Sequence, residues 1–273
     1  MPYGWPYFVI VLLQASIIPL VRDPALLPRI PRHPLLGLLP LVAIGGGVIF
    51  LGAVPSAVGA VTTLAAFAVP PLALLAAWHV RRAALPLAIV SPILWLIVWR
   101  LPTTGWTQLA GDLLIVLAAV SLGRLTGWIA PRAALVIGVL VATAVDVWQV
   151  LTIQVQPVAT ALATAVPARG LPALQQFEMV GASMGWGDAY LAALVGAIVA
   201  VRVRATVVAT VATAITGLSL GLLFNVLDLL PATVPVALGL IAAGCVEHRA
   251  VRAWAQVASE RRKRPRMPID KEA

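Results

Sequence analysis

Residues Ser183 to Ala200 read SMGWGDAYLAALVGAIVA, a run apolar enough for a membrane span that nevertheless carries one carboxylate, Asp188. An acid placed in hydrocarbon costs several kcal/mol on most scales, so its presence marks a functional site by default. How to read the rest of the chain follows from whether this stretch is a span and whether Asp188 has a partner.

The composition answers the first question. Of 273 residues, 61% are hydrophobic and only 11% charged, and the mean hydropathy is +1.00. A soluble domain of this size has no interior large enough for that much apolar surface, so the chain reads as an all-α polytopic membrane protein. Hydropathy predicts nine spans, at 3–21, 35–53, 56–78, 83–99, 105–123, 133–152, 179–201, 205–227 and 229–246. The first has neither a basic leader nor a small-residue cleavage site and is read as a true span. Spans 1–5 make an N-terminal unit (1–130), spans 6–9 a second unit (131–248), and 249–273 a basic tail read as mobile on the cytoplasmic side. The longest loop, about 153–178, is expected on the outer side as a short surface element or a flexible connection.

The net charge of +9 would suggest nucleic acid in a soluble protein, but here the basic residues sit between apolar runs and report topology instead. With nine spans and the N-terminus outside, seventeen of the nineteen basic residues fall inside and only Arg100 and Arg169 outside. The orientation is therefore N-out, C-in. The RRKRPR run, Arg261 to Arg266, suits an anionic inner leaflet, so membrane lipids rather than nucleic acid are the expected partner. The single cysteine, Cys245, excludes an internal disulfide and a cysteine-rich metal site. His33, His79 and His248 all fall at or near span ends, and no HExxH occurs, so no metal is expected. The arginine-rich, lysine-poor usage suggests a GC-rich prokaryote and its plasma membrane.

Three of the ten acids lie within spans: Asp112, Asp146 and Asp188. Asp146 follows Arg132 on a span running outward by the same sequence separation at which Asp188 precedes Arg202 on a span running inward. At 1.5 Å per residue both lie roughly 20 Å from the inner boundary, so neighbouring antiparallel spans can bring them face to face. Asp112 is slightly nearer to Arg124, at a similar depth. Two carboxyls in contact in a low dielectric share a proton, which suits them to activate water and protonate a peptide carbonyl. Gly181, Gly185 and Gly187, with Ala182, make a small-residue face that permits close helix approach and leaves room for a substrate backbone. Alone, the pairing also fits a proton- or cation-coupled carrier using Asp112, Asp146 and Asp188.

Residues 135–245 resemble the GxGD intramembrane aspartyl proteases, the presenilin and signal peptide peptidase family, through three motifs in the family's order. ATAVDVWQVL is similar to the sixth-span motif and puts Asp146 on the first catalytic aspartate. MGWGDAYLAALVG matches the seventh-span GxGD at Gly185-Trp186-Gly187-Asp188. LLPATVPVALGL falls where the family carries proline-alanine-leucine, at Pro231 and Ala232. Asp188 stands almost midway in sequence between Asp146 and Pro231. Val145 stands where the family has tyrosine, and Thr233 breaks the last motif. The resemblance implies a presenilin-like fold and an aspartic endopeptidase that cuts transmembrane helices or signal peptides, with Asp146 and Asp188 as the dyad. Gly185, Trp186, Gly187, Pro231, Ala232 and Pro235 would face substrate, and no cofactor would be needed. The orientation is that of signal peptide peptidases rather than presenilins. Prepilin peptidases also carry GxGD, but favour aspartates near the cytoplasmic surface and more widely spaced in sequence. A catalytically silent member that only binds helices is a further alternative. GASMG, Gly181 to Gly185, is similar to the rhomboid serine motif, but no histidine within a span could activate Ser183.

Overall fold

The computed structural model describes residues 4–27, 31–80, 85–225 and 229–263. Arg29, Arg81, Arg82, Asp228 and the end of the basic tail lie outside the described residues. Among the described residues the fold is helical apart from one hairpin. In order it forms α1 (Trp5–Leu20), α2 (Leu39–Leu41), α3 (Gly47–Ala53), α4 (Val58–His79), α5 (Leu85–Arg100), α6 (Gly105–Ile129), α7 (Arg132–Leu151) and α8 (Val155–Thr164). The hairpin of β1 (Gln176–Met179) and β2 (Ala182–Gly185) follows, then α9 (Trp186–Val199), α10 (Val203–Leu220) and α11 (Thr233–Lys263). Among the described residues five helical segments are long and apolar enough to cross a membrane: Pro34–Ala53, Pro55–His79, Gly105–Ile129, Arg132–Leu151 and Val203–Leu223. Four shorter apolar helices join them: Trp5–Leu20, Ala88–Arg100, Trp186–Val199 and Thr233–His248.

The expected fifth span, 105–123, extends to Ile129 as α6 and becomes the central post of the molecule. Every residue from Leu114 to Ser121 is buried. Its start is set by a capping box, in which the Thr104 hydroxyl accepts from the Thr107 N–H and the Thr107 hydroxyl accepts from the Thr104 N–H. Small residues let α9 lie directly on α6. A Cβ on Gly123 would stand 2.5 Å from the Ala193 methyl carbon, and one on Gly127 would stand 2.8 Å from that of Ala197. One turn along α6 thus corresponds to one turn along α9 in the same direction, so the two helices run parallel. One apolar core joins α1, α4 and α6 to α7, α9, α10 and α11, so packing continues across the division expected near residue 130.

The expected seventh span, 179–201, is only partly helical. Its first residues belong to the hairpin, and helix begins at Trp186. The turn explains this: Val180 and Gly181 both have positive φ, 42° and 86°, the backbone of a tight two-residue hairpin turn. The pairing runs from Met179 opposite Ala182 to Gln176 opposite Gly185. Phe177 and Met179 point into the core while Gln176 and Glu178 are half-buried.

The outer loop expected over 153–178 contains α8 and β1. The tail also differs from expectation, because α11 runs unbroken to Lys263. Residues 249–263 are rich in alanine and arginine and contain no proline or glycine, so nothing local ends the helix.

One end of the bundle gathers the basic residues. The Arg124 guanidinium donates to the Trp78 carbonyl, the Arg22 N–H to the His79 carbonyl, and the His33 N–H to the Ile129 carbonyl. Glu247 of α11 pairs with Arg132 at 3.2 Å and Arg202 at 3.8 Å. As partly exposed contacts these contribute little energy each, but they bring the start of α7, the end of α9 and the middle of α11 to one level.

Candidate active site

Three elements meet at the aspartates. α7 carries Asp146, buried at 9% exposure, five residues before its C-terminus. α9 carries Asp188 in its first turn. α7 packs against α9, so the two aspartates lie on contacting helices. α11 supplies the third element: the Thr233 hydroxyl donates to Asp146 Oδ2 at 2.6 Å, and the Thr233 backbone N–H is directed at the same carboxylate.

The GxGD tetrapeptide has a local geometry that accounts for its glycines. Gly185 is extended, at φ −64° and ψ 148°, and caps α9. Asp188, three residues on, folds back to accept the Gly185 N–H, which is half of a capping box. A Cβ on Gly185 would stand 3.1 Å from Asp188 Oδ2, tighter than ordinary packing. Gly187 has a different task, since a Cβ there would stand 3.0 Å from Ile44 Cγ1. Trp186 stacks on Tyr190, with ring centroids 6.1 Å apart, and Tyr190 shares a 3.1 Å hydroxyl contact with Thr126 of α6. Among the residues expected to face substrate, Trp186 and Gly187 therefore pack within the protein.

Depth follows from the α6–α9 register. Continuing the pairing of Gly123 with Ala193, Asp188 lies level with Ala118, roughly 20 Å from the Gly105 end of α6 and roughly 17 Å from its Ile129 end at 1.5 Å per residue. The hairpin thus fills one half of the bundle's depth and α9 starts near its middle. α7 leaves the basic end through Ala130 and Pro131, and Asp146 stands about four helical turns along it, at a comparable level. Both carboxylates lie at helix N-termini, Asp188 at that of α9 and Asp146 against that of α11. There free N–H groups and the helix dipole favour negative charge.

Asp112 is elsewhere. Its Oδ1 accepts the Glu178 N–H at 2.9 Å, and one turn earlier Gln108 Oε1 accepts the Val180 N–H at 2.9 Å. A four-residue helical step is about 6 Å and a two-residue strand step about 6.6 Å, so one face of α6 matches alternate amides of the hairpin. Asp112 clamps the hairpin and is not part of the dyad.

Pro231, Ala232 and Pro235 line a cavity of about 210 Å³ beside the dyad, together with Tyr7, Gln14 and Ser183. Gln14 Nε2 of α1 donates to the Ala232 carbonyl at 2.9 Å and holds the approach to α11. Neither aspartate lines this cavity; its walls are the residues just before Gly185 and just before Thr233.

Several contributors carry no motif in the sequence. Residues Val42–Gly46 form one π turn, an irregularity often found at functional sites. From it Ile44 packs on Gly187 and Gly45 on Val145, the position at which the resembled family has tyrosine. Gln149 Nε2 also donates to the Gly45 carbonyl. Thr233 is visible in the sequence only as a break in the proline-alanine motif. Among the described residues no group of three or more histidine, cysteine, aspartate or glutamate side chains could hold a metal. No family profile, characterised protein or solved structure matches this chain.

Proposed function

We propose that the protein is a membrane-embedded aspartyl endopeptidase of the GxGD type, related to the presenilin and signal peptide peptidase family, that hydrolyses peptide bonds in transmembrane helices. The observation that supports this best is that Asp146 and Asp188 stand at comparable mid-depth on the contacting helices α7 and α9, each at a helix N-terminus. Water would attack the carbonyl carbon while one aspartate takes its proton and the other protonates the carbonyl oxygen, giving a neutral diol. As the C–N bond breaks, the first aspartate returns its proton to the amide nitrogen and a diol hydroxyl restores the proton of the second. No metal or cofactor enters this scheme.

In this reading nine spans cross a prokaryotic plasma membrane N-out, C-in, with the Arg132, Arg202 and Glu247 end inside, next to anionic lipid. Substrates would be single helices of opposite orientation, N-in and C-out, approaching the Pro231–Pro235 segment. Against the carrier reading, Asp112 holds the hairpin through the Glu178 amide. A prepilin-type leader peptidase uses the same two-aspartate chemistry, and the partly polar cavity beside the dyad favours it as the second reading.

The test is cleavage of a reporter transmembrane helix and of a leader-peptide substrate by purified protein, beside the Asp146→Ala and Asp188→Ala variants. Cleavage lost in both variants is expected, and the preferred substrate separates the two protease readings. Full activity in either variant rules out the dyad. Uptake into liposomes without any cleavage would transfer the site to a carrier.

A further inference from the structure

Thr233 is the residue at which the chain departs from the proline-alanine motif, and it is also the residue that touches the dyad. We propose that Thr233 is a positioning residue that divides the labour of the two aspartates: it holds Asp146 as the carboxylate that receives the proton of water, and leaves Asp188 as the acid that protonates the carbonyl oxygen. The inference rests on the two-aspartate reading above and adds the assignment of roles.

Thr233 is fully buried and is the first residue of α11, so no carbonyl one helical turn earlier takes its hydroxyl, as happens for threonines within a helix. Its Oγ1 lies 2.6 Å from Asp146 Oδ2, the short distance of a hydroxyl donating to a charged oxygen. The Thr233 N–H, which can only donate, is directed at the same carboxylate. Both carboxyls stand at the positive end of a helix, but Asp146 meets two donors, both from Thr233, whereas Asp188 meets one, the Gly185 N–H. Asp188 is the titratable group that faces Asp146, and one negative charge between the two is the favourable state. The better-solvated anion is Asp146, so the shared proton resides on Asp188.

A valine at 233 keeps the shape of threonine and removes the donor. A hydrogen bond to a charged group contributes about 1.5–3 kcal/mol, and 1.36 kcal/mol is tenfold in rate. Thr233→Val is thus expected to lower kcat by about tenfold or more with KM little changed, and Thr233→Ser to restore it. A substrate-free measurement runs beside the kinetics. In Asp188→Asn protein, where Asp146 stands alone, adding Thr233→Val should strengthen the protonated-carboxyl infrared band at fixed neutral pH. In Asp146→Asn protein the same substitution should leave the Asp188 band unchanged. Equal bands with and without Thr233→Val in the Asp188→Asn background, or equal changes in both backgrounds, would overturn the proposal. So would wild-type kcat in Thr233→Val, or a serine variant that folds yet stays as slow as valine. Infrared changes as expected in a protein that cleaves nothing would retain the proton placement and remove the protease reading, so the two failures are distinguishable.

Discussion

Asp112 and the Asp146–Asp188 pair are both carboxylate sites inside one bundle, and the sequence describes them in nearly the same terms. The structure separates them by what their oxygens meet. One oxygen of Asp112 accepts the Glu178 backbone amide beside Gln108, so this residue holds a hairpin. Asp146 and Asp188 lie on contacting helices, each with donors from a helix N-terminus beside it. A buried acid in a membrane protein is thus not by itself a reactive group. One that faces a second acid, with its remaining lone pairs oriented by fixed donors, has the arrangement that proton transfer requires.

The strongest way to break this contrast is amide substitution at all three positions. Asn keeps an acceptor oxygen but cannot carry a proton. Asp146→Asn and Asp188→Asn should each reduce cleavage by about a thousandfold or more, as loss of one member of a catalytic pair does. Asp112→Asn should keep most activity, because its amide oxygen can still accept the Glu178 N–H. Reporter cleavage by folded, purified variants reads this directly, and an inactive Asp112→Asn protein would draw Asp112 into the reaction.

A smaller effect sharpens the structural half. Asp112→Ala leaves the Glu178 amide unpaired and should destabilise the protein by about 1–3 kcal/mol. Gln108→Ala should cost about 1 kcal/mol by the same reasoning. Since both residues hold one hairpin, the double variant should depart from additivity, which thermal unfolding in detergent can measure as a coupling energy. Strict additivity would mean that the two contacts hold the hairpin independently.

The smallest expected effect concerns the turn between the strands. Val180 is β-branched and held at φ 42°, a conformation that favours glycine. Val180→Gly keeps the amide that Gln108 accepts and should raise stability by about 1 kcal/mol, the low end of the range for relieving such strain. A lower unfolding temperature in this variant would show that the exposed valine side chain contributes contacts exceeding its backbone cost.

Much of the fold was legible because lipid leaves the backbone few options. Long apolar runs between arginines become helices, so the all-α class and the helical segments can be read from hydropathy. Legibility ended where the chain is irregular. The run from Met179 to Gly185 is as apolar as a helix, and only the Val180-Gly181 turn and its pairing with Gln176–Met179 make it a hairpin. Hydropathy has no term for that. The π turn at Val42–Gly46 was equally hidden, because it is defined by its contacts with Gly187, Val145 and Gln149.

By itself, the sequence determined the class of the protein, the apolar segments, and the candidacy of Asp146 and Asp188, through spacing measured from arginines. Helical rise converts residue counts into depth, so depth is a one-dimensional quantity that a sequence carries. Lateral position is not. That Asp146 faces Asp188, that Asp112 faces a backbone amide, and that Thr233 lies on the dyad depend on which helix faces are in contact. Those faces were set by small residues such as Gly123, Gly127 and Gly187 packing against particular partners, a choice made only when the whole bundle assembles.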